Sequence, residues 1–256
     1  MNLSNKNRKS QITIFVILAL IIVVAIALGV VLFKKPVSVI NIEEDPQAFI
    51  ESCVKDSIEK HEQIILDNNG YPNITSNFLL YENEKVPFLC TSSQFYVPCV
   101  NQEPMLVESI RRKLEDRIKL DAKNCFETLI KDLRKKGYNI QEGNMSLNVI
   151  LRSGKIGVDI NKKIVMTKGE NSQIIESWRT FLPSPLFNLI DTARNIVNYE
   201  STLCEFNDMV WMNFFPAIRI IRFITSEGSK VYLLTDKESE KELKIAIRTC
   251  VLPAGI

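Results

Sequence analysis

Hydrophobic and polar residues divide the chain into one long apolar run, three helical patterns and a series of strand patterns. The apolar run extends from Ile12 to Phe33, with Thr13 as its only polar side chain. An apolar helix of roughly 20 residues spans the roughly 30 Å hydrocarbon core of a bilayer. The run therefore predicts a transmembrane helix over residues 11–35. A cleavable secretory signal, with an apolar core of about 7–15 residues, is the main alternative, and a buried helix is the other.

Two later stretches place apolar residues at steps of three and four, which is typical of a helix with one buried face. The first begins at Asp45-Pro46, an N-cap residue followed by proline, and stops at Asn68-Asn69-Gly70. The second begins at Pro104 and stops at Gly137. The apolar positions of the two stretches are Ile50, Val54, Ile58, His61 and Ile65, and then Val107, Ile110, Leu114, Ile118, Ala122, Cys125, Leu129 and Leu133.

A period of two replaces the helical period after Gly137 and predicts antiparallel strands. The pattern predicts a three-stranded meander, with turns at Ser153-Gly154 and Asn161-Lys162. Its strands are residues 147–151, 156–160 and 164–166. A helix over residues 186–197 is expected to cover this sheet, and three more strands follow Ala217. The predicted fold class is α+β, with an N-terminal transmembrane helix followed by an ectodomain with long amphipathic helices and an antiparallel sheet.

These patterns predict the domain organisation and the orientation. The expected parts are a cytoplasmic basic leader (1–10), the transmembrane helix (11–35), a spacer (36–45), a mainly helical lobe with a cysteine-bracketed loop (46–140) and an α+β lobe with antiparallel strands (141–256). Lys6, Arg8 and Lys9 precede the apolar run, whereas Lys34 and Lys35 follow it. Basic residues favour the cytoplasmic side of a membrane. We therefore expect a single-pass protein of the cell membrane with a cytoplasmic N-terminus and an extracytoplasmic C-terminal domain.

All cysteines follow the apolar run, and they are Cys53, Cys90, Cys99, Cys125, Cys204 and Cys250. An even number in an exported domain predicts disulfide bonds, whereas free buried thiols would indicate a cytoplasmic domain. Many pairings are possible, but Cys90 and Cys99 bracket a short loop and are the first candidate pair. Asn73 and Asn144 stand in glycosylation sequons, which also fit export.

Catalytic and cofactor-binding patterns are missing from the sequence. It has no G-x-S-x-G, P-loop, G-x-G-x-x-G or H-E-x-x-H motif, and no C-x-x-C pair accompanies its single histidine, so neither a catalytic, a cofactor nor a metal site is expected. His61 lies on an apolar helix face, which favours a packed histidine over a general base. A net charge of +2 gives no basic field for nucleic acid, and no small-molecule substrate is evident.

An aromatic cluster lies in the segment DMVWMNFFPAI, with Trp211, Phe214 and Phe215. Such residues either form a contact surface, towards a partner or a membrane interface, or pack in the core. Because large apolar residues are usually buried, core packing is the favoured interpretation.

The residues Arg8-Lys9-Ser10-Gln11-Ile12-Thr13-Ile14-Phe15 resemble the class III signal sequence of archaeal type IV pilin-like proteins. The resemblance implies cleavage between Ser10 and Gln11. The segment FIESCVKDSIEK is similar to uncharacterised archaeal surface proteins with this N-terminal form. Pilins of this type usually carry glutamate where this chain has Phe15, and Pro36 closes the apolar run. The resemblance thus implies export more than filament assembly.

Together these observations predict a non-enzymatic, membrane-anchored extracytoplasmic protein. Its expected role is that of a pilin-like structural or interaction protein of the cell surface or envelope. An anchored binding or accessory subunit of a membrane complex is the alternative. The expected partners are the lipid bilayer and either another protein or a second copy of the chain in the envelope.

Overall fold

The structure is a computed structural model that describes residues 17–23, 45–71, 74 and 76–253. The chain divides into two compact units, Met1–Ile40 and Asn41–Ile256. The first unit contains a helical segment, α1 (residues 17–23), whose side chains are exposed. The second unit contains every other element that the structure describes.

The prediction of a transmembrane helix over residues 11–35 is wrong. None of the helices within the described residues is both long and apolar enough to cross a bilayer. Residues 11–16 and 24–35 of the predicted helix lie outside the described residues, as does the leader 1–10.

The second unit is an α+β structure. Its helices are α2 (Pro46–Asp67), α3 (Leu106–Lys135), α4 (Leu186–Leu203) and α5 (Asp208–Phe214). Its strands are β1 (Phe78–Tyr81), β2 (Glu84–Thr91), β3 (Val100–Asn101), β4 (Asn139–Glu142), β5 (Ser146–Arg152), β6 (Lys155–Lys168), β7 (Asn171–Pro183), β8 (Ile218–Ile224), β9 (Lys230–Asp236) and β10 (Glu242–Arg248).

Helix α2 begins where local chemistry predicts, and both α2 and α3 end where it predicts, whereas α3 begins at Leu106, two residues after the predicted Pro104. The Asp45 carboxylate caps α2 by accepting a hydrogen bond from the Ala48 amide at 2.8 Å, and Pro46 occupies the first turn. Asn69 and Gly70 take positive φ angles after α2, and Gly137 does so after α3. The predicted apolar positions of both helices are buried, except that Val107 is partly exposed.

The smaller sheet has the order β4-β6-β5, with β7 on β6. The turn predicted at Asn161-Lys162 is wrong, because β6 continues through it as a single strand of 14 residues. The register between β6 and β7 shifts between Asn161 and Ile164, which is a β-bulge. Ile160 and Ile164, which lie on either side of the bulge, are both buried. Strand β7, which the sequence pattern did not predict, completes the sheet.

The larger sheet has the order β1-β2-β10-β9-β8, and β3 pairs with β2. Its pairs are antiparallel except for β2 with β10, which are parallel. The last three strands and the helix α4 match their predictions, and all six predicted apolar positions of α4 are buried: Leu186, Leu189, Ile190, Ala193, Ile196 and Val197. They belong to the main hydrophobic core that α4 shares with both sheets. A second, small hydrophobic cluster surrounds Val86, Val231 and Ala246.

Candidate interaction surface

Three disulfides connect all the cysteines: Cys53–Cys125, Cys90–Cys99 and Cys204–Cys250. The first joins α2 to α3, the second closes the short loop as predicted, and the third ties the end of α4 to the C-terminal segment. Disulfides form and persist in oxidising compartments. The protein therefore belongs to an extracellular or other oxidising environment.

The other residues singled out from the sequence lie in different places. Asn144 is exposed in the loop between β4 and β5, where its side chain is accessible. Asn73 and the predicted processing residues Ser10 and Gln11 lie outside the described residues. Glycosylation and processing therefore stay predictions.

His61 belongs to a polar cluster that resembles a catalytic triad only in composition. His61 Nε2–H donates to Asp121 Oδ2 at 2.9 Å, and Ser57 Oγ donates to the same oxygen at 3.0 Å. In a nucleophilic triad the histidine lies between the hydroxyl and the carboxylate and accepts the hydroxyl proton. Here the carboxylate lies between the other two groups, so Ser57 is not activated. The cluster instead connects α2 to α3.

The electrostatics of this cluster favour an ionised Asp121. Partial burial by itself raises the pKa of the Asp121 carboxyl. The hydrogen bonds from His61 and Ser57 and the charge of Lys60, 3.6 Å away, outweigh burial and hold that pKa below its ordinary value. The carboxylate therefore contributes to the stability of the α2–α3 pair.

A buried acid–base cluster lies between α4 and β9. The Glu200 carboxylate is completely buried, and Lys230 Nζ donates to its two oxygens at 3.0 and 2.8 Å. Lys230 also donates to the Cys204 carbonyl at 2.7 Å, and the Tyr232 hydroxyl donates to Glu200. Burial, followed by this bond, raises the pKa of Tyr232. Every charge has a partner, which is typical of a structural pair.

A second buried acid, Glu62, has the same character. Ser184 Oγ donates to its Oε1 at 2.6 Å, and Lys241 Nζ lies 2.9 Å from its Oε2. The Asp159 carboxylate forms an ion pair with Arg179, its cross-strand partner on β7. The Asp191 carboxylate forms an ion pair with Arg194, three residues later in α4. Within the described residues, no group of three or more His, Cys, Asp or Glu side chains is arranged to hold a metal ion.

Helix α5 differs from these elements because none of its residues is buried. Asn207 caps the helix by accepting a hydrogen bond from the Val210 amide at 3.0 Å, and Pro216 follows its last turn. The only charged residue of α5 is Asp208, at its first position. The remainder of the helix is almost entirely apolar.

The end of α4, which precedes α5 in the chain, also has exposed apolar residues. We call this set the α5 surface, and its members are Tyr199, Leu203, Met209, Val210, Phe214 and Phe215. Phe214 is 76% exposed, Met209 74% and Leu203 67%. The prediction that the aromatic segment packs in the core is therefore wrong for Phe214 and Phe215.

A row of aromatic rings holds the α5 surface in place. The buried Phe206 contacts Tyr199 of α4, with ring centroids 5.8 Å apart, and Trp211 of α5, at 5.7 Å. Trp211 stacks on Phe215 at 4.4 Å. Both helices therefore pack on the same buried ring of Phe206. Trp211 itself is only partly exposed and packs against the core.

The sulfur of Met212 fixes α5 to the larger sheet. Met212 Sδ accepts a hydrogen bond from the Ile220 amide at 3.3 Å, on the outer edge of β8. α5 thereby covers part of this free edge. Nothing in a single sequence distinguishes such a helix from a core segment, since both consist of Met, Val, Trp and Phe. The one local signal in α5 is that no charged residues stand opposite its apolar residues, as they do in an ordinary surface helix.

We compared the chain with protein families, with curated proteins and with solved structures. No family model matches it, and no curated protein and no solved structure is significantly similar to it.

Proposed function

We propose that this chain is an extracytoplasmic structural or interaction protein of the cell surface or envelope, and that it binds a protein partner through the α5 surface. The observation that carries the proposal is that no residue of α5 is buried and that its apolar residues Met209, Val210 and Phe214 are exposed. The three disulfides support the compartment. The resemblance of residues 8–15 to a class III signal sequence supports export, and it favours a pilin-like surface protein.

The size of the α5 surface supports binding. An aromatic side chain offers roughly 150–250 Å², so six residues that are about half to three-quarters exposed present several hundred Å². Contiguous apolar patches on monomers reach about 300–600 Å² and are often functional. A standard protein–protein interface covers about 800 Å² per partner. The α5 surface is therefore large enough to be the core of such an interface.

The composition of the α5 surface favours a protein over a lipid surface. Interface cores are rich in Tyr, Trp, Phe and Met and poor in charged residues. Helices that lie on membranes instead carry Lys and Arg beside their apolar face, whereas α5 has no basic residue. The nearby Glu205 and Arg222 neutralise each other, and the hydrogen bond from Arg222 holds the pKa of Glu205 below its ordinary value.

Mass measurement on the native protein tests this proposal. The full chain, purified under mild conditions, is expected to sediment as a complex, either as a multiple of its own 29.3 kDa mass or with a stoichiometric partner. The double substitution Met209→Asp with Phe214→Asp places charges in the centre of the surface and is expected to give a single chain. Burying an unpaired charge opposes association strongly.

A matched control uses Leu120, an exposed apolar residue of α3 that is 59% exposed. Leu120→Asp places a charge of the same sign outside the α5 surface, and the complex is expected to persist. If the wild-type chain sediments alone, or if the α5 double variant keeps the complex, the proposal is wrong.

A further inference from the structure

A groove opens at the end of the larger sheet, beside the Cys204–Cys250 disulfide. Its volume is about 830 Å³. One wall is Phe78, Leu79 and Leu80 of β1; the others are the end of β8 with the following turn, and the C-terminal segment. Four of its apolar residues are largely exposed: Leu80, Phe95, Ile224 and Leu252. We call this site the β1–β8 groove.

On the side away from β2, the backbone of β1 pairs with no other described strand. Glu82 and Asn83 both have positive φ angles, 49° and 68°, and form the two-residue turn between β1 and β2. The pair next to such a turn, Tyr81 and Glu84, exchanges hydrogen bonds, and the next pair, Leu80 and Lys85, does not. The Lys85 carbonyl accordingly accepts a bond from Asn69 at 3.1 Å instead.

By the same alternation, Phe78 and Leu80 direct their N–H and C=O groups away from β2. Phe78 stands opposite Pro87, which has no N–H to donate. Among the described strands, β2 is the only one that pairs with β1. The free edge of β1 therefore offers a donor and an acceptor at both residues, and both line the groove.

The edge of β8 offers a similar set of groups. The bond from the Ile220 amide to Met212 shows that Ile220 points away from β9. Residues at alternate positions share this direction, so the backbone of Ile224 also points outwards. α5 covers the edge at Ile220, whereas Ile224 lines the groove.

The first and last strands of the sheet approach each other. The rings of Tyr81 on β1 and Phe223 on β8 have centroids 5.6 Å apart, although three strands separate them in the sheet order. The sheet is thus strongly curled, and the groove lies beside this contact. In its wall, Ser229 is almost completely buried and its Oγ has no hydrogen-bond partner among the described residues. An unpaired buried hydroxyl is uncommon in a folded protein.

We propose that the β1–β8 groove binds an extended peptide segment of another protein, which adds a strand to the free edge of β1. Free N–H and C=O groups along a strand edge recognise a peptide backbone. Alternate side chains of an added strand face one side, and here that side is the apolar wall around Leu80, Phe95 and Ile224. The preferred segment therefore has apolar residues at every second position and no charge at them.

A synthetic peptide tests this site without any change to the protein. The probe is a short blocked peptide in which threonine alternates with valine, isoleucine and phenylalanine. We expect saturable binding to the full chain, with NMR shifts at the amides of Phe78, Leu80 and Ile224. The same peptide N-methylated at alternate residues keeps its side chains but loses backbone donors, and its affinity is expected to fall roughly tenfold or more.

Two variants locate the site. Leu80→Pro removes one edge donor at a position where an edge strand tolerates proline, and it is expected to weaken binding by a similar factor. Phe214→Asp changes only the α5 surface and is expected to leave peptide affinity unchanged. Equal affinity for the methylated peptide, shifts confined to α5, or no binding of the probe would overturn the proposal. None of these results would affect the α5 surface as an interface.

Discussion

The indole ring of Trp211 stacks on the phenyl ring of Phe215, with centroids 4.4 Å apart and planes inclined by 29°. Trp211 faces the core through Phe206, whereas Phe215 is half exposed. One stacked pair therefore connects the hydrophobic core to the α5 surface. This relationship separates residues that stabilise the fold from residues that are exposed for contact.

Substitutions in α5 should separate these two roles. Phe214→Ser removes an exposed side chain, so the free energy of unfolding is expected to change by no more than about 0.5 kcal/mol. Trp211→Ala removes contacts with Phe206 and is expected to destabilise the fold by about 2 kcal/mol. Urea unfolding of the oxidised protein measures both values. Equal losses for the two variants would show that Phe214 is a core residue.

The buried pair Glu200–Lys230 should be sensitive to the loss of one partner. Lys230→Met leaves the Glu200 carboxylate buried with only the Tyr232 hydroxyl, and it is expected to destabilise the fold by roughly 3 kcal/mol. Lys237→Met is the control, because Lys237 is exposed, and it should have little effect in urea unfolding. A loss below about 0.5 kcal/mol for Lys230→Met would contradict a structural role for the pair.

Asp121 should make stability depend on acidity. Its pKa is lower in the folded than in the unfolded protein, so its contribution is present above the unfolded pKa, about 3.9. That contribution is lost as the pH falls through the folded pKa. We therefore expect Asp121→Asn to be destabilised at neutral pH and to lose less further stability than the wild type on acidification below about pH 4.

The matched control for this prediction is Asp116→Asn, on the exposed side of the same helix. Its unfolding free energy, measured in urea across the acidic range, should follow the wild type. Parallel pH profiles for Asp121→Asn and the wild type would show that the hydrogen bonds of Asp121 do not favour its ionised form.

The disulfides should differ in how much each contributes to the free energy of unfolding. Cys53–Cys125 spans 72 residues of sequence, and Cys90–Cys99 spans nine. Loop-closure entropy predicts that replacing the first pair with serine costs about 4 kcal/mol and the second under about 3 kcal/mol. Thermal unfolding of the two double variants measures this order. The reverse order would indicate that packing around the bonds, rather than loop length, dominates.

Signals confined to neighbouring residues could be predicted from the sequence. Asp45-Pro46 caps α2, and the apolar spacing from Ile50 to Ile65 gives its buried face, because both depend only on helix geometry. Strands β8 to β10 were likewise predicted from short runs rich in β-branched and other apolar residues. The transmembrane prediction relied on apolar length alone and is wrong.

Features that depend on distant residues were missed. Strand β7 contains only two buried residues, Trp178 and Thr180, because it lies at a sheet edge, and so its pattern lacks a clear period. The bulge near Asn161 resembles a turn in sequence. The exposure of α5 depends on two contacts outside the helix: Trp211 packs on Phe206, and Met212 bonds to the edge of β8. These contacts hold α5 at the surface of the protein. No local pattern contains that information.

Photo-crosslinking in intact cells tests the central claim most directly. A benzophenone amino acid at position 214 lies in the centre of the α5 surface, and the same group at position 120 lies on α3 as a matched control. We predict a discrete product from position 214, at twice the mass of the chain or at the mass of one defined complex, and none from position 120. No product from position 214, or equal products from both positions, would contradict the proposal that the α5 surface binds a protein.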